Sequence, residues 1–218
     1  MKDVYDYAKF FIKNGADSKP NTYEGNMKLQ KLLILADLAN VAENGEPLFQ
    51  EQVLAFKNGC VVEKIRLKYK NDYFGFKHDS EVFQPEFSEK EYTILNMIMD
   101  IFGRASAREL SEINHTFTFW KLAFSHGMNS NGYHDKTRSV VDMMSQTEDI
   151  NRMREIIRAY QETSAEAVPE EMIHGVTFYL YGDLELTDEI RNQLESFSLS
   201  ADDDAYSVYV DNGRLVIC

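Results

Sequence analysis

Lys28 and Lys31, in the stretch "NMKLQKLLILADLA" (26–39), are the first residues whose type and spacing suggest a site. On a helix they share an edge, with Gln30 beside them. They read either as solvated lysines, alone or paired with an acid such as Glu24, or as a polar surface that meets a partner. Periodicity does not separate the two. Ser111 and His115 are four apart and would share a helical face, as a nucleophile and its base would, but no oxyanion element accompanies them. Capping or core hydrogen bonds account for both. His126 and His134 lie in one polar loop without a metal-ligand spacing and read as solvated histidines. The chain contains no Walker loop, G-x-S-x-G, G-x-G-x-x-G or H-E-x-x-H. The expectation is therefore a protein that is not an enzyme, with no catalytic residue, cofactor or metal.

The elements that must position these residues are mostly helical. Apolar positions at spacings of three and four predict helices over about 3–14 and from about 26 to Gly45, the second with Leu29, Leu32 and Leu33 in the core. "QVLAF" (52–56) reads as a short strand. Asn58-Gly59 reads as a turn leading into a helix that buries Val62, Ile65 and Tyr69. Residues 71–87 read as irregular or as a hairpin. Ser88…Glu91 and Ser106…Glu109 are capping boxes that open two helices, because each serine can accept a free N–H while the glutamate reaches back. A third short helix holds Phe119, Trp120, Leu122 and Ala123. Helical pattern resumes over about 136–160, with a break near Thr147.

The rhythm of 92–124 is that of a helix-turn-helix. Its third helix, however, offers Lys121 as a lone cation among aromatic residues, where a recognition helix carries Arg, Lys, Asn or Gln. Core or protein interface is the stronger reading, and nucleic acid is an unfavoured partner.

After "QETSAEAVPEEM" (161–172), which reads as a linker, the period changes. "VTFYLY" alternates as a strand, "TDEIRNQLESF" is helical, and "YSVYVDNGRLVI" forms a hairpin about Asn212-Gly213. The expected domains are a helical body over 1–160, a linker over 161–172 and an acidic α+β appendage over 173–218. A β-α-β-β unit that small should dock on the body or be completed by another chain.

Charge separates the two parts. The chain carries a net −13, and residues from Gln161 onward hold 13 Asp/Glu against Arg191 and Arg214 alone. Such a segment is a poor ligand for phosphate backbones and suits a basic partner, or it supplies solubility. The run Asp202, Asp203, Asp204 is its densest acidic point. The two cysteines, Cys60 and Cys218, suggest no disulfide framework and a cytoplasmic location, and no apolar run is long enough for a membrane span.

Three blocks carry a family resemblance: Lys28-Leu29-Gln30-Lys31-Leu32-Leu33, Gly45-Glu46-Pro47-Leu48-Phe49, and Ala55-Phe56-Lys57-Asn58-Gly59-x-Val61-Val62. About 80 residues after the first, Leu110, Ser111, Glu112, His115, Trp120 and Lys121 follow in the order of a second motif. Over roughly 1–125 the chain resembles the Panacea domain, an antitoxin domain of bacterial and phage toxin–antitoxin systems with a SocA-like branch of proteolytic adaptors. Cys60 stands where the family often has Pro, and Phe56 where it often has Trp. The resemblance implies an α+β protein: a mainly helical Panacea domain with a short strand element, and the small C-terminal unit outside it. It implies neutralisation of a cognate toxin by direct contact. Lys28, Gln30, Lys31, Gly59, His115, Trp120 and Lys121 are the matched positions expected to bind the partner, joined by Asp202–Asp204 if the toxin's surface is basic. The alternatives are an adaptor that delivers the toxin to a ClpXP-type protease, or a DNA-binding autoregulator. A homo-oligomer is compatible with each.

Overall fold

The computed structural model describes residues 2–165, 169–182, 184–211 and 214–218. The chain divides into two compact units, 1–160 and 161–218. The mainly helical α+β class read from the sequence is what the structure has.

The first unit is built around helix α2 (Tyr23–Asn44), which buries 17 of its 22 residues. A helix buried on almost every side must lie at the centre, and α1 (Val4–Lys13), α3 (Glu63–Asn71), α5 (Glu89–Phe102) and α6 (Ala107–Thr116) all pack on it. Leu29, Leu32 and Leu33 are fully buried, as their spacing predicts. Thr22 caps the start of α2 through Gly25 N–H, and Gly45 closes it in the left-handed region, φ 74°. Both capping boxes form, at Ser88/Glu91 and Ser106/Glu109.

Three elements of this unit differ from the sequence reading. First, β1 (Val53–Phe56) pairs with a second strand, β2 (Gly59–Val62), before α3 begins. Phe56 faces Gly59, so the two-residue turn is Lys57-Asn58 and not Asn58-Gly59. Second, residues expected to be irregular form α4 (Tyr73–Val82). Asp72 caps it by accepting Gly75 N–H, and Tyr73, Phe76 and Ser80 give it a buried stripe. Third, the helix expected from Lys136 is only a 3-10 turn over Lys136–Arg138. The chain then runs extended along β1, where Ala55 N–H donates to Ser139 O (2.8 Å) and Val141 N–H to Val53 O (2.9 Å). The outer edge of β1 needs partners for its peptide groups, and β-branched Val140-Val141 suits an extended path. Helix α8 starts only at Thr147 and runs to Ala165.

Helix α7 (Thr118–Gly127) has no cap from its own N-terminal residue. Buried Asp149, on α8, supplies it by accepting Thr118 N–H (3.0 Å) and Phe119 N–H (2.8 Å).

The second unit is a four-stranded sheet in the order β3-β4-β5-β6: β3 (Glu170–Ile173), β4 (Val176–Leu180), β5 (Ala205–Asp211) and β6 (Arg214–Ile217). The outer pairs are antiparallel, and β4 runs parallel to β5 after a crossover through α9 (Asp188–Ser198). Strand β3 was not expected. It is joined to β4 at His174-Gly175, where both residues have positive φ as a type I′ turn requires. The stretch expected as a linker thus begins inside α8 and ends inside β3, and the hairpin turn expected at Asn212-Gly213 lies outside the described residues. Phe178, Leu180, Tyr206 and Val208 build a small core with Leu194 of α9. On the opposite face Met172, Tyr181 and Tyr209 are exposed.

Replacing Asp149 with Ala leaves two buried N–H groups without an acceptor. It is expected to lower unfolding free energy by about 2 kcal/mol, read as a shift in urea midpoint at unchanged m-value.

Candidate functional site

Most polar residues of α2 lie inside the protein: six are buried, and each reaches the backbone of another segment. Asn26 donates to Arg66 O (3.0 Å), Lys28 to Gly103 O (2.7 Å) and Asn40 to Glu46 O (2.7 Å). Gln30 accepts Val62 N–H (2.8 Å), and Asp37 accepts Leu48 N–H (2.7 Å). Lys31, 1 % exposed, donates to Cys60 O at 2.9 Å. Buried polar groups are costly unless paired, and here each finds its partner in the backbone of a neighbouring helix, strand or loop.

Several of the motif positions converge on the β1–β2 hairpin. Gln30 and Lys31 hold β2 from α2. From α6, Asn114 accepts Cys60 N–H (2.6 Å) and Ser111 donates to Asn58 O (3.0 Å). From α7, Trp120 Nε1–H donates to Phe56 O (2.9 Å). His115 hydrogen-bonds the backbone of Lys57 and lies on Trp120, ring centroids 4.1 Å apart. The stack continues through Phe124 to His134, at 5.1 and 4.6 Å. Gly59 sits at φ +96°, and a Cβ there would lie 2.5 Å from Asn114 Oδ1 and 2.9 Å from Lys31 Nζ. Lys31, Gln30, Gly59, His115 and Trp120 therefore form one constellation, and it grips a hairpin.

Other expected positions fall elsewhere. Lys28 is 3 % exposed and holds the end of α5 through Gly103, so neither lysine is a solvated or partner-facing edge. The reason is that α2 has no solvent-facing side over this stretch. Lys121 is exposed and donates to Thr116 O (2.8 Å). Asp202–Asp204 lie in the second unit, exposed, in the bend before β5. The hydroxyl of Tyr206 donates to the Asp202 carboxylate (2.6 Å), which holds that carboxyl below its ordinary range, and accepts both Asp202 and Asp203 N–H. Ser111 donates to a carbonyl, so it is not poised against His115 as a nucleophile. Among the described residues no cluster of His, Cys, Asp and Glu could hold a metal, and no helix is long and apolar enough to cross a membrane. Asn26, Asp37, Asn40 and Asn114 were not singled out from sequence. Asn26 was findable, as a polar residue four before Gln30 on an apolar run.

Burial sets the electrostatics. It pulls the Lys31 ammonium down to about 8, with the Cys60 thiol's charge opposing, and pushes that thiol up to about 12. Burial also pushes the Asp37 carboxyl up to about 7, against the stabilising Leu48 N–H. His115 is held below the usual imidazole range, first by burial and then by the Lys31 charge. Beside Lys31 opens a cavity of about 370 Å³ among α2, the hairpin turn and α3.

Residues 29–121 match the family described as antitoxin SocA-like, Panacea domain. Both motif blocks lie within that span, Lys28 one residue before it, and the resemblance is borne out there. No curated protein and no solved structure matches the chain.

Two outcomes follow from this geometry. Between pH 8 and 10.5 the folded chain has released the Lys31 proton while the unfolded chain keeps it. The unfolded state then binds more protons, so stability rises with pH across that window, by up to about 3 kcal/mol. Urea titrations at pH 7.5 and 10 should show this gain in the wild-type chain relative to Lys31→Met, in which tyrosine ionisation is common to both. Gly59→Ala should cost about 2 kcal/mol or more, from positive φ and the clash with Asn114, seen as a lowered thermal midpoint.

Proposed function

We propose that the chain is a non-enzymatic antitoxin of the cytoplasm that neutralises a cognate protein toxin by direct binding. The observation that carries this reading is the antitoxin-domain match over residues 29–121. The internal use of the matched polar residues supports a division of labour. The Panacea body is a scaffold whose motif holds its own hairpin, and toxin recognition falls to exposed surface. Residues 161–218 offer such a surface, with a net charge of −11, an exposed Asp202–Asp204 bend and a sheet face bearing Met172, Tyr181 and Tyr209. Exposed tyrosine with surrounding acid is suited to a basic protein: the charges speed encounter and the rings supply contact area.

Blocking is favoured over delivery to a ClpXP-type protease. The apolar C-terminus is strand β6, and Cys218 exchanges both backbone hydrogen bonds with Ser207 (2.7 and 3.0 Å), so it is engaged in the sheet. DNA binding finds little support in α7, whose Phe119 and Ala123 are buried and whose Lys121 is its lone Lys or Arg.

The test is co-expression. The toxin encoded beside this gene should arrest growth alone and be tolerated with this chain, including in cells lacking the protease. Absence of a toxic neighbour ends the proposal. Asp203→Asn with Asp204→Asn, leaving the Asp202–Tyr206 pair intact, should weaken toxin affinity roughly three- to tenfold, mostly through the association rate, measured by surface plasmon resonance at two salt concentrations.

A further inference from the structure

The cavity beside Lys31 has a composition at odds with the chain around it. Acidic residues outnumber basic ones 36 to 23 in the sequence, yet none of the fourteen residues lining this cavity is acidic and four are Lys or Arg. Its apolar walls come from Tyr23, Met27, Phe56, Val61 and Tyr69. The ring of Phe56 is flanked by Arg66, 5.9 Å from its centroid, and by Lys136 at 4.6 Å. Lys57 and Lys70 are exposed at the cavity and have no ion-pair partner among the described residues. Arg66 is engaged by Glu63 through two hydrogen bonds, so it contributes less free charge. At the mouth, Asn58 Nδ2 donates to the hydroxyl of Tyr23 (2.6 Å), which is 68 % exposed.

Lys31 is the second, independent sign. It is a fully buried lysine lining the cavity, and its hydrogen bond goes to a neutral carbonyl, Cys60 O. No carboxylate among the described residues stands within ion-pair distance of it. A buried cation without a counter-charge is disfavoured, and burial alone accounts for its lowered pKa. An anion in the adjoining cavity would relieve that cost. An ammonium has three donors, and Cys60 O takes one of them.

We propose that this cavity binds a small anion carrying a flat apolar body, with Lys31 as its buried counter-charge and Lys57 and Lys70 at the rim. The volume is that of a small-ligand pocket. The anion sits against Lys31 and the flat body lies among Phe56, Tyr69 and Tyr23. Because Lys31 also holds β2, occupancy is felt directly by the hairpin. The proposal does not rest on the antitoxin reading, and its test uses the chain without a toxin.

Calorimetric titration of the full chain with adenosine 5′-monophosphate and with 1-naphthoate separates a phosphate from a carboxylate source. Adenosine and 1-naphthol serve as neutral counterparts. At least one anion should bind one to one with Kd below about 1 mM and about tenfold or more tightly than its neutral counterpart. Lys31→Met should reduce that affinity by about tenfold or more, and Met27→Trp, which fills the cavity while leaving the hairpin bonds in place, should abolish it. Lys57→Gln with Lys70→Gln, both on the surface, should weaken binding several-fold in a chain whose folding is unaffected. The proposal is overturned if neither anion saturates, if the neutral compounds bind as well, or if the folded variants bind unchanged. Binding of an acidic toxin peptide in the same place, with both small anions refused, also overturns it.

Discussion

A helix at the centre of a protein has no side left for solvent, so every polar group it carries must find a partner inside. In this chain that constraint acts on α2, where Asn26, Lys28, Gln30, Lys31, Asp37 and Asn40 are buried among leucines and alanines. Each makes a hydrogen bond with a backbone group of another segment. Apolar packing alone would hold those segments near α2 without fixing their register, because dispersion and burial are not directional. The hydrogen bonds are directional. The loop 45–49 is set by Asp37 and Asn40, the end of α5 by Lys28, and the β1–β2 hairpin by Gln30 and Lys31.

The hairpin is the segment most dependent on this arrangement. Two four-residue strands are marginal alone, and this pair is bonded from three directions: α2 through Lys31 and Gln30, α6 through Asn114 and Ser111, and α7 through Trp120. Helix α7 is in turn fixed by Asp149 at its N-terminus. Thus residues separated by more than 100 positions in sequence serve one small sheet. Gly59 is needed where these converge, since its missing Cβ leaves room for both Asn114 and the Lys31 ammonium.

Much of the fold was legible because it is written locally. Ser88 and Ser106 mark helix starts, Gly45 marks a stop, and Leu29, Leu32 and Leu33 declare a core face. Elements that depend on distant partners were not legible. The 139–143 stretch is extended because β1 offers it an edge, and Val140-Val141 suits that path without specifying it. Helix α4 was hidden by Gly75 and by aromatic residues whose burial is known only once α1 is in place. Strand β3 has alternation too weak to read, and its turn depends on His174 accepting positive φ. For the site, residue types and order could group Lys31, Gly59, His115 and Trp120 through a family pattern. They could not reveal that the group faces inward, because amphipathic spacing assumes a wet side and α2 has none from residue 28 to residue 42.

That inward direction bears on how one domain can serve different partners. The resemblance implies that Panacea domains face unrelated toxins. A motif spent on toxin contacts would then have to change with each toxin. A motif spent on holding a hairpin would not, because the hairpin's backbone is the same whatever lies outside. On this view the recognisable residues and the recognising residues are different sets. The first fixes a rigid frame and a cationic cavity, and the second is free to vary over the exposed surface. On the proposed reading the second set would draw on the −11 segment, whose charge is opposite to that of the cavity. A basic partner and a small anion would therefore seek different parts of the molecule, and neither would compete electrostatically for the other's place.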